Sequence, residues 1–114
     1  MKLMTAEIEK RLEKFPFGSQ EGLGDEAEVI VKFFGGYAAT WLVTEGERQE
    51  DGDWLFFGKV TIYGDGEWEW GYFTLSELKG LRFPPFGLPI ERDLYLDKNA
   101  KVGDFDKEDF LPEI

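Results

Sequence analysis

The sequence contains no cysteine and no histidine, and these two absences remove many kinds of chemistry at once. Without cysteine there is no disulfide framework and no thiolate nucleophile. Without either residue the common ligand sets for zinc, haem and iron–sulfur clusters are missing. Ser-His-Asp and Cys-His nucleophilic sites are excluded for the same reason. The chain also lacks a G-x-x-x-x-G-K-[ST] phosphate loop and a G-x-G-x-x-G opening a helix after a strand; "GDGEWEWG" is glycine-rich but fits a hairpin turn. No apolar run approaches the roughly 20 residues that span a bilayer. The opening "MKLMTAEIEKRLEKF" interleaves charged and apolar residues and carries no continuous signal-peptide core. The expectation is a cytoplasmic protein that does not enter the membrane, with no cofactor, no metal and no catalytic residue.

Basic residues are also scarce, 13 against 24 acidic ones, which leaves a net charge of −11 over 114 residues. The bases are scattered, so nothing offsets the repulsion of a phosphate backbone, and direct nucleic-acid binding is not expected. An acidic surface favours a protein partner with a basic surface and steers the encounter, although net negative charge also serves solubility alone. What the chain does have is apolar bulk. Apolar residues make up 42% and aromatic residues 17%, including eleven phenylalanines and four tryptophans, enough for one domain over residues 1–114 with a real core.

The local pattern predicts an α+β fold: an antiparallel sheet of four or five strands, an N-terminal helix over 5–15 and a short helix after the central hairpin. Met4, Ile8, Leu12 and Phe15 form one face of that first helix, with Thr5 as N-cap and Pro16 and Gly18 as its stop. Predicted strands are Glu28–Phe34, Tyr37–Glu45, Trp54–Tyr63 and Glu67–Phe73. Gly35-Gly36 joins the first pair, and "GDG" turns the last. On the first strand Val29, Val31 and Phe33 are expected on one side. Gly58 marks a bulge or a close backbone approach. Thr74 and Glu77 have capping-box spacing, with Gly80 ending the turn. Three prolines exclude a regular central element at the start of "RFPPFGLPIERDLYLD", and Leu94–Leu96 is a candidate final strand. The acidic tail 104–114 offers Phe105, Phe110 and Leu111 as anchors.

Three groups of residues are candidates for function. Glu67 and Glu69 share a strand face with side chains about 7 Å apart, the spacing of paired acids in glycoside hydrolysis; a solvated strand face is the simpler reading. Trp68, Trp70 and Tyr72 share the opposite face. They are either core residues, with Trp70 or Tyr72 at the rim, or a row that stacks sugars or bases; Trp41 and Trp54 read as core. The third group is acidic. Glu45, Glu47, Glu50, Asp51 and Asp53 form one cluster and Asp65, Glu67 and Glu69 a second. If the two loops meet at one end of the hairpins, they make a single negative patch resembling a row of DNA phosphates. Otherwise they are polar loops, with aspartates 51, 53 and 65 serving turn geometry. Arg92, directly after a proline-set turn, is expected to pair with a carboxylate, Glu69 or Glu77, and lock its loop.

From Ala39 onward the segments "ATWLVTE", "FFG", "EWGYFTLSELKGLR" and "FGLPIERDLYL" occur in the order and approximate spacing of the DUF2958 family, which the chain resembles over about residues 28–97. The stretch "GYFTLSEL…GLPIERDL" is the most specific part, while "RFPPF" and the aromatic "EWEW" depart from the usual pattern. The resemblance implies a small bacterial protein of unassigned function, encoded on plasmids, integrative elements and phage-like islands near conjugation and antirestriction genes. It supplies no catalytic residue to carry over. Together with the charge, it leads to the expectation of a non-enzymatic acidic accessory protein that binds a protein partner with a basic surface, in its sharper form an anti-restriction or anti-CRISPR factor. A carbohydrate- or nucleotide-binding module using Trp68, Trp70 and Tyr72 is the alternative, followed by a carboxylate-dependent hydrolase.

Overall fold

The computed structural model describes residues 1–106. Its centre is a five-stranded antiparallel sheet of strands β1 (Val31–Gly35), β2 (Ala39–Arg48), β3 (Trp54–Thr61), β4 (Glu69–Thr74) and β7 (Glu91–Arg92), ordered β4-β3-β2-β1-β7. Strands β5 (Arg82–Phe83) and β6 (Leu88–Pro89) form a separate small hairpin around the prolines. Helix α1 covers Ala6–Leu12, and α2, Leu75–Gly80, follows β4 directly. The α+β fold, the sheet size and both helices agree with the sequence pattern.

Local chemistry explains most boundaries. The Thr5 hydroxyl accepts the Ile8 N–H at 3.2 Å and starts α1, which is shorter than expected because regular turns cease at Glu13. The Thr74–Glu77 capping box is present: Glu77 N–H donates to the Thr74 hydroxyl, and a Glu77 carboxylate oxygen accepts Thr74 N–H. The last strand pairs Glu91 and Arg92 with Phe34 and Phe33. The expected strand at Leu94–Leu96 is instead a turn, held where Asp93 accepts the Tyr95 N–H.

The sheet buries side chains fully on one face and only in part on the other. One carries the main core, in which Val31, Phe33, Trp41, Val43, Trp54, Phe56 and Phe73 meet Leu12, Leu75 and Leu78 from the two helices. The other holds a smaller cluster of Ala27, Val29, Leu42, Ala100 and Val102, with Phe105 and Trp68 packed against it. Val29 therefore parts from Val31 and Phe33. The chain straightens into the sheet only after Ile30, and Val29 N–H bonds to the Ala100 carbonyl instead of to β2. Phe105 is an anchor as expected; Phe110, Leu111 and the rest of the acidic tail lie outside the described residues. Among the described residues no helix is long and apolar enough to cross a membrane.

Asp53 ties the β2–β3 loop to α2. One of its carboxylate oxygens accepts the Trp54 and Ser76 N–H groups and the other accepts the Ser76 hydroxyl at 2.6 Å. That hydroxyl contact, chiefly, holds the carboxyl below the ordinary 3.8; the backbone donors and Lys79 add to it, while partial desolvation opposes. A depressed folded-state value means that the ionised form stabilises the fold above about pH 4 and that this contribution is lost as pH falls through the folded pKa. In urea titrations from pH 6 to 3, the wild type is expected to lose more stability than Asp53→Asn. Parallel curves would rule this out.

Candidate binding site

An irregularity in β2 brings aromatic and acidic residues together on one face of the sheet. Val43 pairs with Gly58, but the next paired residue is Glu45, opposite Phe57. Thr44 is thus the extra residue of a bulge, and its hydroxyl donates to the Phe57 carbonyl at 3.2 Å. Side chains alternate along a strand, so Glu45 would otherwise follow Trp41 and Val43 into the main core. The extra residue reverses that alternation. Glu45 joins Phe57 and Tyr72 on the opposite face, and Gly46 takes the core position against Phe56 and Leu12.

Glu45 is only 5% exposed, and its charge organises the loop that follows α1. Its two carboxylate oxygens accept the N–H groups of Gly18 at 3.0 Å and Gln20 at 2.7 Å. Glu47 accepts the Phe17 N–H at 2.9 Å, so two alternate residues of one strand hold three N–H groups of the loop. Gln20, 7% exposed, completes the clamp. Its amide donates to the carbonyls of Glu28 and Thr44 and accepts the Glu28 N–H. The loop, closed by left-handed glycines at 18 and 22, becomes one wall of a cleft of about 390 Å³. Thr44, Glu45, Phe57, Trp70 and Tyr72 form the other side.

The aromatic wall is continuous. Trp70 stacks on Phe57 with ring centroids 5.7 Å apart, Tyr72 lies 4.8 Å from Phe57, and Phe17 meets Tyr72 edge-on at 5.5 Å. Trp70 is 40% exposed and Tyr72 63%. This corrects the expectation of core packing: the buried member of β4 is Phe73, on the other face. Trp68 precedes the strand and packs, half-buried, beside the smaller cluster, so it does not extend the row. The amino group of Lys59 lies 5.6 Å from the Trp70 ring centroid, paired with Asp106 and 4.0 Å from Asp25.

The other candidates separate. The two acidic loops sit at opposite ends of β3, about 23 Å apart for eight residues of strand, so they do not form a single patch. Several of their carboxylates serve the backbone: Asp51 accepts Asp53 N–H, Asp65 accepts Glu67 N–H, and Asp53 anchors α2; Glu50 is exposed. Glu67 lies in the turn before β4 while Glu69 begins the strand, so they do not pair across one strand face. Among the described residues Arg92 forms no ion pair with Glu69 or Glu77, because Glu77 is engaged by Thr74 and Arg92 sits at the far edge strand. No group of three or more metal-ligating side chains occurs among them either. Gln20, Glu21 and Phe57 of this cleft are not marked by any pattern in the sequence. A glutamine in a glycine-rich loop carries no periodic signal, and Phe57 read only as an ordinary strand residue.

A family model described as "Protein of unknown function (DUF2958)" matches residues 3–108, extending the sequence resemblance through α1 and the described C-terminal segment. No match was found among curated proteins or solved structures.

Proposed function

The chain belongs to the DUF2958 family, and from that premise we propose that it is a non-enzymatic acidic protein that acts by binding a protein partner with a basic surface. Its finer role in this reading is that of a mobile-element accessory factor occupying the nucleic-acid-binding surface of a host restriction or CRISPR component. The observation that carries the reading is the exposed Trp70–Tyr72 face on a protein of net charge −11. Large aromatics surrounded by carboxylates are unfavourable to leave in water and favour contact with cationic surface. The acidic loops at the two ends of β3 then act as separate rim contacts that steer association. Tagged protein incubated with host lysate at low salt is expected to retain a basic partner, with affinity falling about tenfold as ionic strength rises toward about 0.3 M. Retention that is indifferent to salt, or no basic partner, would refute the reading.

The exposure of Trp70 and Tyr72 also favours a second reading, a small carbohydrate-binding module. Nucleotides suit it less, because Glu21 and Glu45 line the cleft and repel phosphate. Binding of neutral oligosaccharides, insensitive to salt, distinguishes it.

A further inference from the structure

We infer that the cleft between the 17–24 loop and strands β2–β4 is a subsite for an arginine side chain of the protein partner. The inference rests on the reading above and names the contact that reading leaves open.

Three features of the cleft converge on a guanidinium. The first is the wall of Trp70, Phe57 and Tyr72. A planar, weakly hydrated cation stacks on such rings, gaining both cation–π attraction and apolar contact. The second is Glu45, a carboxylate almost wholly removed from water, with no ion-pair partner among the described residues. It accepts two N–H groups, whereas a carboxylate offers about four acceptor positions. A buried anion balanced only by backbone dipoles gains most from an incoming cation. The third is Glu21, exposed on the opposite wall, and the absence of any lysine or arginine among the described lining residues.

The cleft therefore combines negative charge with flat aromatic surface and leaves the cation to the visitor. A phosphate or carboxylate ligand meets two glutamates and, among the described lining residues, no base. A neutral sugar finds the rings but leaves the buried charge uncompensated. A lysine ammonium satisfies the charge, but as a compact, strongly hydrated group it makes poorer use of the rings than a guanidinium does. The chain's own lysine at the site, Lys59, is already held by Asp25 and Asp106 beside Trp70.

The test uses the whole chain and three peptides of identical length, acetyl-Gly-Gly-X-Gly-Gly-amide, with arginine, lysine or citrulline at X. Citrulline keeps the shape of arginine and removes its charge. Trp70 fluorescence reports binding, with Trp70→Phe as the assignment control. The arginine peptide is expected to titrate saturably, about tenfold tighter than the citrulline peptide and tighter than the lysine peptide. Tyr72→Ala and Glu21→Gln, both at exposed positions, should each weaken it at least about threefold, and Tyr72→Phe should retain it. Equal binding of arginine and citrulline, preference for a neutral oligosaccharide, or no saturable change with any peptide would each overturn the inference. Failure here is separable from failure of the proposed function. If Tyr72→Ala still retains a salt-sensitive basic partner from lysate, the partner reading stands and this subsite does not.

Discussion

Gly58→Ala is expected to lower the unfolding free energy by about 3 kcal/mol or more, while Gly71→Ala leaves it within about 0.5 kcal/mol. The two glycines face each other directly across β3 and β4, Gly71 on the edge strand and Gly58 on the interior one. The space beside each differs accordingly. A Cβ on Gly58 would overlap the Leu42 carbonyl oxygen and crowd Val43 Cα, whereas a Cβ on Gly71 meets no atom within 4 Å. Leu42 and Val43 are backbone of the neighbouring strand at the point where the Thr44 bulge begins. They have no rotamer with which to yield, and relief requires breaking β2–β3 pairing at the centre of the sheet. Parallel urea melts of the two variants check this; equal losses would show that the close approach is not what glycine serves at position 58.

Glu45→Ala is expected to cost about 2–4 kcal/mol, the scale of charge-assisted hydrogen bonds removed together with the desolvation penalty of donors left behind. The Gln20 N–H is buried and has no water to turn to. Glu45→Gln should recover only part of the loss. One amide oxygen replaces two carboxylate oxygens, and the NH2 group then faces the N–H of Gly18 or Gln20, donor against donor. Gln20→Ala should cost a comparable amount, because three bonds from its side chain join the loop to Glu28 and Thr44. The double variant should fall short of the sum, since either change alone releases the same loop. Hydrogen exchange provides the local readout: amides 17–20 should exchange far faster in Glu45→Ala while those of Phe56 and Phe73 stay protected. Unchanged exchange at 17–20 would show that the carboxylate does not hold the loop.

Much of the architecture is legible from local pattern. The Thr5 cap, the Thr74–Glu77 capping box and the "GDG" turn into β4 all depend on residues within a few positions of one another. Local physical chemistry selects them before any long-range contact forms. The excess of acids and the absence of histidine and cysteine are equally independent of fold. They restrict the chemistry of any site this chain can build, whichever side chains meet there.

The site itself was not legible, and the reasons are specific. Strand parity places Trp70 and Tyr72 on one side of β4, but does not say which side the helices cover. Tertiary packing puts α1 and α2 against Phe73, and the large rings are left outside. The acidic loops are neighbours in composition yet lie at opposite ends of β3, because an antiparallel meander sends alternate connections to alternate ends of the sheet. Glu45 reads as one more surface charge until the pairing of β2 with β3 admits Thr44 as an extra residue and turns the carboxylate toward the Gly18–Gln20 backbone. By itself the sequence determined the four long strands, the two helices, their caps and the sign of the net charge. The tertiary structure alone decided which face is buried and which carboxylate is. Burial depends on register between strands, and a single extra residue in that register reverses every side chain after it.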